Sequence, residues 1–232
     1  MNEPNMYWQE GKDNENYHVP DTIVDVVFNI ACRALPVDHA YALSQAITRV
    51  LPWFPEEEGA GLHTVHGAES GNGWMRPANP GDLVYLSRRT KLILRLPKHR
   101  LDDAGMLTGA SLDIAGNVMT VEKSAARPLS TITTIFSRYV ESAEGMDEAG
   151  FLKLAVAQLN RIDISPKKML CGMENTIVTP GRNIHTRSLM LAELSVEESV
   201  RLQQHGLGSE RRLGCGLFIP HKDIKELRQA LD

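Results

Sequence analysis

Two groups of residues in this chain are suited to chemistry: a glycine-rich run near the C-terminus and a set of eight histidines. The run is Gly206-Leu207-Gly208-Ser209-Glu210-Arg211-Arg212-Leu213-Gly214-Cys215-Gly216, two Gly-apolar-Gly units separated by five residues, two of them arginine. Glycine tolerates positive φ and lets a backbone approach a ligand closely. Free amides in such a loop form nests for anions, and Arg211 and Arg212 add planar forks of donors that match phosphate. The run joins a helical pattern to a strand pattern. A P-loop joins strand to helix and needs a terminal Gly-Lys-Ser/Thr, so this is not one. For one glycine, a helix cap at Gly206 is the plainer reading. Four glycines at this spacing, with arginines between them, favour a phosphate-facing loop.

The histidines are His18, His39, His63, His66, His99, His185, His205 and His221. Imidazole, with an unperturbed pKa of ~6.5, serves as acid or base near neutral pH. His63 falls in a loop after the first helical pattern, where reach is possible. His39 falls in the first helical turn, where packing or a hydrogen bond near the cap competes with a chemical role. His63 and His66 have the spacing of a metal pair, but no third ligand is nearby. His205 ends a helical pattern, where its charge suits the dipole. Cys32, Cys171 and Cys215 are an odd number without a CxxC pair, which argues against a disulfide framework or structural zinc.

Basic residues gather at Arg88, Arg89, Lys91, Arg95, Lys98 and Arg100, against the single acid Asp82 in residues 81–100. Arg182, His185 and Arg187 add a second basic group. Such side chains supply phosphate affinity, although a solvated strand face accounts for them equally well. Aromatic residues are only 6%, so an aromatic platform for stacking is not expected. Trp53, Phe54 and Trp74 read as core or loop packing rather than base platforms.

The elements that must position these groups repeat in order. Ile23–Cys32 reads as a strand. Asp38 then caps a helix carrying Tyr41, Leu43, Ala46, Ile47, Val50 and Leu51 on one face, and Pro52 stops it. Residues 53–81 read as a Gly- and Pro-rich loop with a short strand near Leu62–Val65. Thr90–Leu96 reads as a strand, Lys98–Leu107 as a short helix, and Ser111–Val121 as a hairpin turning at Ala115-Gly116-Asn117. Residues 124–129 read as a linker. Ile132–Val140 is the next strand, followed by an Asp147-capped helix, strands at Lys168–Met173 and Ile184–Leu194, and a Ser195-Glu198 capping box opening a helix to His205. Leu213–Ile219 reads as the last strand. Each half is β-α-β-β-α-β, which predicts an α+β fold of two tandem ferredoxin-like domains, 23–123 and 130–220. A polar arm (1–22) and a tail (221–232) flank them.

The chain has 232 residues, 42% of them hydrophobic, and a net charge of −4. That suffices for one sizeable core or two small ones, and excludes a disordered charged tail protein. All the net acidity lies in residues 1–22, with five acids and one base; the remaining 210 residues balance at 24 of each. A uniformly basic nucleic-acid binder is therefore excluded. No stretch approaches the ~18 apolar residues of a membrane helix, and the polar start lacks the features of a signal peptide. A cytoplasmic protein is expected.

The glycine run matches, at every position, the loop of the CRISPR repeat-processing endoribonucleases, and the chain resembles that family. Leu35-Pro36-Val37-Asp38-His39-Ala40-Tyr41 and Leu62-His63-Thr64-Val65-His66-Gly67 look like its two histidine motifs. Leu202-Gln203-Gln204-His205-Gly206-Leu207-Gly208 is similar to a myxobacterial-type subgroup. The resemblance spans roughly Ile23 to Ile219. It implies two tandem ferredoxin-like domains and metal-independent attack of a ribose 2′-hydroxyl on the adjacent phosphorus, with no cofactor. The products would be a 2′,3′-cyclic phosphate and a 5′-hydroxyl. It implies His63 as general acid or base, with His39 second. Gly206, Gly208, Arg211, Arg212, Gly214 and Gly216 would face RNA, helped by Arg88, Arg89 and Arg187. Some members add a tyrosine in the first helix; that position falls near Thr48, where this chain departs, with Tyr41 or Arg49 as substitutes. The implied partners are precursor and mature CRISPR repeat RNA, and other subunits of an interference complex. A non-catalytic repeat-binding subunit is the alternative.

Overall fold

A computed structural model of the chain describes residues 17–66 and 82–221. Most of the polar arm, Gly67 of the second histidine motif, Trp74 and the tail beyond His221 lie outside the described residues.

The first domain opens with β1 (Ile23–Ala31), β2 (Ala34–Pro36) and α1 (Ala40–Val50). It continues through β3 (Gly61–His63), β4 (Leu83–Tyr85), β5 (Lys91–Pro97), a short α2 (Leu101–Ala104) between two 3-10 turns, and the hairpin β6 (Ser111–Ile114) and β7 (Asn117–Arg127). Five strands form one sheet in the order β3-β5-β1-β7-β6, and β2 pairs with β4 apart from it. Val24, Val26 and Phe28 point to one face of β1, as strand alternation requires, and meet Leu43, Ala46 and Ile47 of α1. The hairpin turns where Ala115 and Gly116 both take positive φ (49° and 81°), as a two-residue turn between twisted strands demands.

The second domain holds β8 (Ile135–Glu141), α3 (Glu148–Asn160), β9 (Lys168–Val178), β10 (Asn183–Ala192), α4 (Val196–His205) and β11 (Ile219–Pro220). Its sheet order is β11-β8-β10-β9. In each sheet the first and third strands of the motif lie at the centre, the ferredoxin-like arrangement, so the α+β tandem fold is present as expected. Asp147 and Ser195 cap α3 and α4, the latter with its reciprocal Glu198 box. Each sheet has its own hydrophobic core.

Three local expectations are corrected, and one strand pair went unread. Residues 124–127 are strand, not linker: Ser124–Arg127 of β7 pair with Phe28–Asp25 of β1 beyond a register shift. Their side chains are exposed, so they carry no hydrophobic alternation to read. Leu213–Ile219 is not a strand. Leu213 ends a 3-10 turn, and Gly214 and Gly216 take φ of 90° and 65°, which extended backbone does not. The β2–β4 pair went unread because three-residue strands show too little periodicity. Finally, Asp38 does not cap α1; its carboxylate accepts from Val178 N in the second domain at 2.9 Å.

Candidate active site and nucleic-acid interface

The site is built on β3. Leu62 is fully buried in the first core, so alternation turns its neighbours Gly61 and His63 to the opposite face. The second domain covers that face. A Cβ on Gly61 would lie 2.7 Å from Leu217, and one on Gly214 would lie 2.7 Å from Thr64 Cγ2 and 3.2 Å from Leu62 O. The glycine run therefore packs directly along the strand that carries His63.

On the same face, register places Asp25 of β1 opposite Arg95 of β5. Arg95 Nε and Nη2 grip the two carboxylate oxygens at 2.8 and 2.9 Å. Its Nη1 donates to Gln203 O (2.9 Å) and Phe218 O (3.0 Å) of the second domain, and the residue is fully buried. Burial works against the Asp25 charge, but Arg95 and His63 outweigh it and hold the carboxyl well below its usual range. Arg211 reaches the other way. It donates to Gly59 O (2.9 Å) and Ala60 O (3.3 Å) of the first domain, and to His205 O. Burial, then Arg95, push its pKa down to about 10. Two arginines thus cross the domain boundary in opposite directions.

His63 sits among these charges. Its Nε2 lies 3.7 Å from Asp25 Oδ1, an ion-pair distance rather than a hydrogen bond, and its side chain is 13% exposed. Nε2 is buried with no hydrogen-bond partner. Burial lowers its pKa, the Asp25 carboxylate opposes this in part, and the charges of Arg95 and Arg211 lower it further. Burial therefore disfavours the protonated form of the ring.

His39 is differently placed. Its Nδ1 lies 2.8 Å from Pro36 O and its Nε2 accepts from Val65 N at 3.0 Å. Those bonds require the proton on Nδ1. At 3% exposure it ties the start of α1 to the chain leaving β3, and its proton is committed to that structure. His66 stands nearby, bonded to Thr64 Oγ1 at 2.8 Å and stacked on Tyr139 at 6.1 Å. Tyr41 packs beside the cluster joining α1 to the second domain, and Thr48 bonds back to Ser44 O. Among the described residues no three His, Cys, Asp or Glu gather as a metal site.

Two of the loop's glycines, Gly206 and Gly216, are required by backbone packing. Gly216 has φ of 65° and an added Cβ would fall 1.7 Å from Leu207 O; at Gly206 one would fall 2.5 Å from Gly216 O. The expected anion nest exists, but the chain supplies its anion: Glu141 Oε1 accepts from Ser209 N (2.5 Å) and Glu210 N (2.8 Å). Arg211 is a domain brace, so its reading as a phosphate contact is corrected. Arg212, half-exposed and 3.5 Å from Glu210, faces outward. Arg187 is spent on Met146 O and Glu174. The basic stretch divides: Arg95 is buried, Lys98 pairs with Asp21, and Arg100 with Glu57 and Asp103. Arg88 and Arg89 are exposed in the turn before β5. Sequence reasoning missed Asp25 altogether and left Arg95 in a basic group read equally as phosphate-binding or as a solvated strand face. The available signal was a lone charge inside each apolar run, Val24-Asp25-Val26 and Leu94-Arg95-Leu96.

With this geometry in place, a family model described as Cas6 Crispr matches residues 24–223. The chain belongs to the Cas6 family. It is 31% identical over 197 residues to the CRISPR-associated endonuclease Cas6 of Myxococcus xanthus (strain DK1622), an alignment covering 85% of this chain and 81% of that one. A solved structure described as an RAMP protein binding different RNA substrates matches with a TM-score of 0.59 at 12% identity, covering 86% of this chain and all of that one. A Cas6-related gene product from Pyrococcus furiosus gives 0.57 at 12% identity, covering 87% and 99%. These two likenesses establish the Cas6 fold. Among the described residues no helix is long and apolar enough to cross a membrane.

Proposed function

We propose that this Cas6-family chain is an endoribonuclease that cuts precursor CRISPR RNA within the repeat to give mature guide RNA. Its Myxococcus xanthus relative is named an endonuclease, and one fold neighbour is described as binding RNA. The observation that supports the catalytic assignment is His63: a ring with a buried, unbonded Nε2, on the strand along which the glycine run lies. In the proposed reaction His63 takes the proton of the ribose 2′-hydroxyl. The oxygen attacks the adjacent phosphorus, the P–O5′ bond breaks and the leaving 5′-oxygen takes a proton from solvent, giving a cyclic phosphate and a 5′-hydroxyl. No metal or cofactor enters this scheme. Arg212, Arg88 and Arg89 would meet phosphates. His39 holds the backbone on which His63 sits. A cytoplasmic enzyme that hands its product to further CRISPR-associated subunits completes the reading.

The depth of His63 favours a second reading, in which the chain binds repeat RNA without cutting it. Single-turnover cleavage of repeat RNA in EDTA separates the two. Cleavage with cyclic-phosphate ends, reduced about 10²–10⁴-fold in His63→Ala, is expected. Intact RNA bound tightly by the wild type would select the second reading. Cleavage lost in His66→Ala but not in His63→Ala would move the role to His66.

A further inference from the structure

The pairing of Arg95 with Asp25 leaves His63 unexplained. In the sheet, β5 separates the strand of His63 from β1. Strands stand about 4.8 Å apart, so Asp25 lies two strand spacings from the backbone of His63. Register sets Gly61, Arg95 and Asp25 in one row across the three strands, and His63 opposite Ile93, two residues along β3 from that row. The ring nevertheless ends with Nε2 3.7 Å from Asp25 Oδ1, so it reaches diagonally across β5. The Asp25–Arg95 pair does not need this ring, because Arg95 already holds both carboxylate oxygens. An apolar side chain at position 63 would fill the space without burying a nitrogen that has no hydrogen bond. Such buried, unpartnered atoms are rare in folded proteins, and a catalytic role is one of their few explanations.

The carboxylate cannot turn away from the ring. Arg95 grips both of its oxygens, and the bonds from Arg95 Nη1 to Gln203 O and Phe218 O fix the guanidinium across the domain boundary. Oδ1 takes one bond from Arg95 Nε, and a carboxylate oxygen has room for a second. A movement of roughly 0.5 Å brings Nε2 to the upper edge of hydrogen-bond reach. Catalytic hydrogen bonds are often long before substrate arrives and tighten with it. The Asp25 carboxyl is held well below its usual range, so an anion faces Nε2. In a neutral imidazole one nitrogen carries the proton and the other accepts; an anion beside Nε2 favours the proton on that nitrogen. The charged groups around the ring are Asp25 of β1, Arg95 of β5 and Arg211 of the glycine run, and of these Asp25 alone favours a proton there.

We propose that Asp25 is the positioning residue of His63: it holds the ring proton on Nε2 and so leaves Nδ1 to take the proton of the ribose 2′-hydroxyl. Asp25 passes no proton itself. The proton gained at Nδ1 makes an imidazolium that the carboxylate stabilises, and it leaves to solvent after the cut. Arg95 fixes Asp25 and the second domain fixes Arg95, so the docking of the two domains also sets the aim of the base. The inference rests on the reading of His63 as the base of the proposed reaction.

Two measurements on the full-length protein test this. The first needs no activity: a long-range proton–nitrogen NMR spectrum of the RNA-free, nitrogen-15 histidine-labelled protein, taken above the pH at which the ring titrates, with His63 assigned by its loss in His63→Gln. The wild type is expected to carry the proton on Nε2 and a bare Nδ1. In Asp25→Asn the side-chain amide can donate to Nε2, and the proton is expected to move to Nδ1. The second is single-turnover cleavage of repeat RNA in EDTA. Asp25→Asn is expected to slow it about 10- to 100-fold, less than His63→Ala, and to move the acid limb of the rate profile to lower pH, because the charge that favours the protonated ring is gone. The double variant Asp25→Asn with Arg95→Met removes both buried charges and serves where Asp25→Asn fails to fold. A purely structural Asp25 predicts wild-type cleavage in the folded double variant; the positioning role predicts that stability returns and the rate does not. A wild-type proton on Nδ1 would overturn the proposal, and so would cleavage within about twofold of wild type in either folded variant. A wild type that cleaves nothing, while its His63 proton sits on Nε2 and moves in Asp25→Asn, would end the reading of His63 as a base and leave the control of its ring by Asp25 standing.

Discussion

In the first sheet, the face opposite the core carries Asp25, His63 and Arg95, and the second domain closes over it through Gln203, Leu217 and Phe218. In the second sheet, the corresponding face carries Phe136, Arg138, Leu170 and Met190, and among the described residues no second layer closes over it. The two sheets share a strand order, so topology does not decide this difference. Residue type at the outward positions does. A charge on a covered face must be paired, because burying it alone costs several kcal/mol, and each charge on the first face is answered. The second face is mostly apolar.

Breaking the covered face should cost the most. Arg95→Ala leaves the Asp25 carboxylate uncompensated and two carbonyls of the second domain without their donor. A loss of about 3–5 kcal/mol in urea unfolding is expected. The double variant Asp25→Asn with Arg95→Met should recover more than half of it, since it removes both charges together. If Arg95→Ala alone unfolds like the wild type, the clasp is not what joins the domains.

Gly216→Ala comes next. It forces an L-residue to a φ of 65° and drives a methyl into Leu207 O. Strain and overpacking together suggest about 2–5 kcal/mol. Gly208→Ala meets only the Glu141 carboxylate end, which can move, so a smaller cost is expected. Equal costs at both positions would show that the run is held by something other than its backbone crossing.

Glu141→Ala should cost about 1–3 kcal/mol, because it strands the amides of Ser209 and Glu210. It also frees the nest. If RNA phosphate reaches those amides, this variant should bind repeat RNA more tightly than wild type at low salt, although it is less stable. Weaker binding with lower stability would make Glu141 purely structural.

The nest shows why the fold was legible and the site only partly so. Periodicity and caps are local, and they placed β1, α1, β5, α3, α4 and the Ser195 box from a few adjacent residues each. The partner of the Ser209 amide lies 68 positions away, that of Asp25 lies 70 away, and Arg211 reaches 152 residues back to Gly59. Nothing near Arg211 distinguishes a brace from a phosphate contact. Its neighbour Arg212 has the same type and the opposite fate. The sequence ranked His63 above His39, and the bonds of His39 to Pro36 and Val65 gave the structural reason.

Protonation of His63 offers a graded test of the covered face. Its folded pKa is lowered from ~6.5, so the unfolded chain binds more protons in the window just below that value, and stability should fall as pH drops through it. Asp25 acts at lower pH. Its folded pKa is lowered too, so the stability it contributes is present above about pH 4 and is lost as pH falls below that. His63→Gln should flatten the upper step and leave the lower one. An unchanged upper step would place that titration on another histidine.

The smallest expected effect lies on the second sheet. Leu170 and Met173 of β9 are 59% and 79% exposed, so changing either to serine removes little area from a buried contact. Each should change stability by no more than about 0.5 kcal/mol. That near-zero result is informative, because a large apolar side chain left in water on an open strand gives the fold almost nothing in return. If Leu170→Ser stays within that limit while Arg95→Ala does not, the two faces are separated by measurement: one holds the domains together, and Leu170 on the other is uncovered in solution. If Met173→Ser or Leu170→Ser instead costs more than about 1.5 kcal/mol, those side chains are covered in solution. The second face would then be closed like the first, and the comparison between the sheets would fail at its open side.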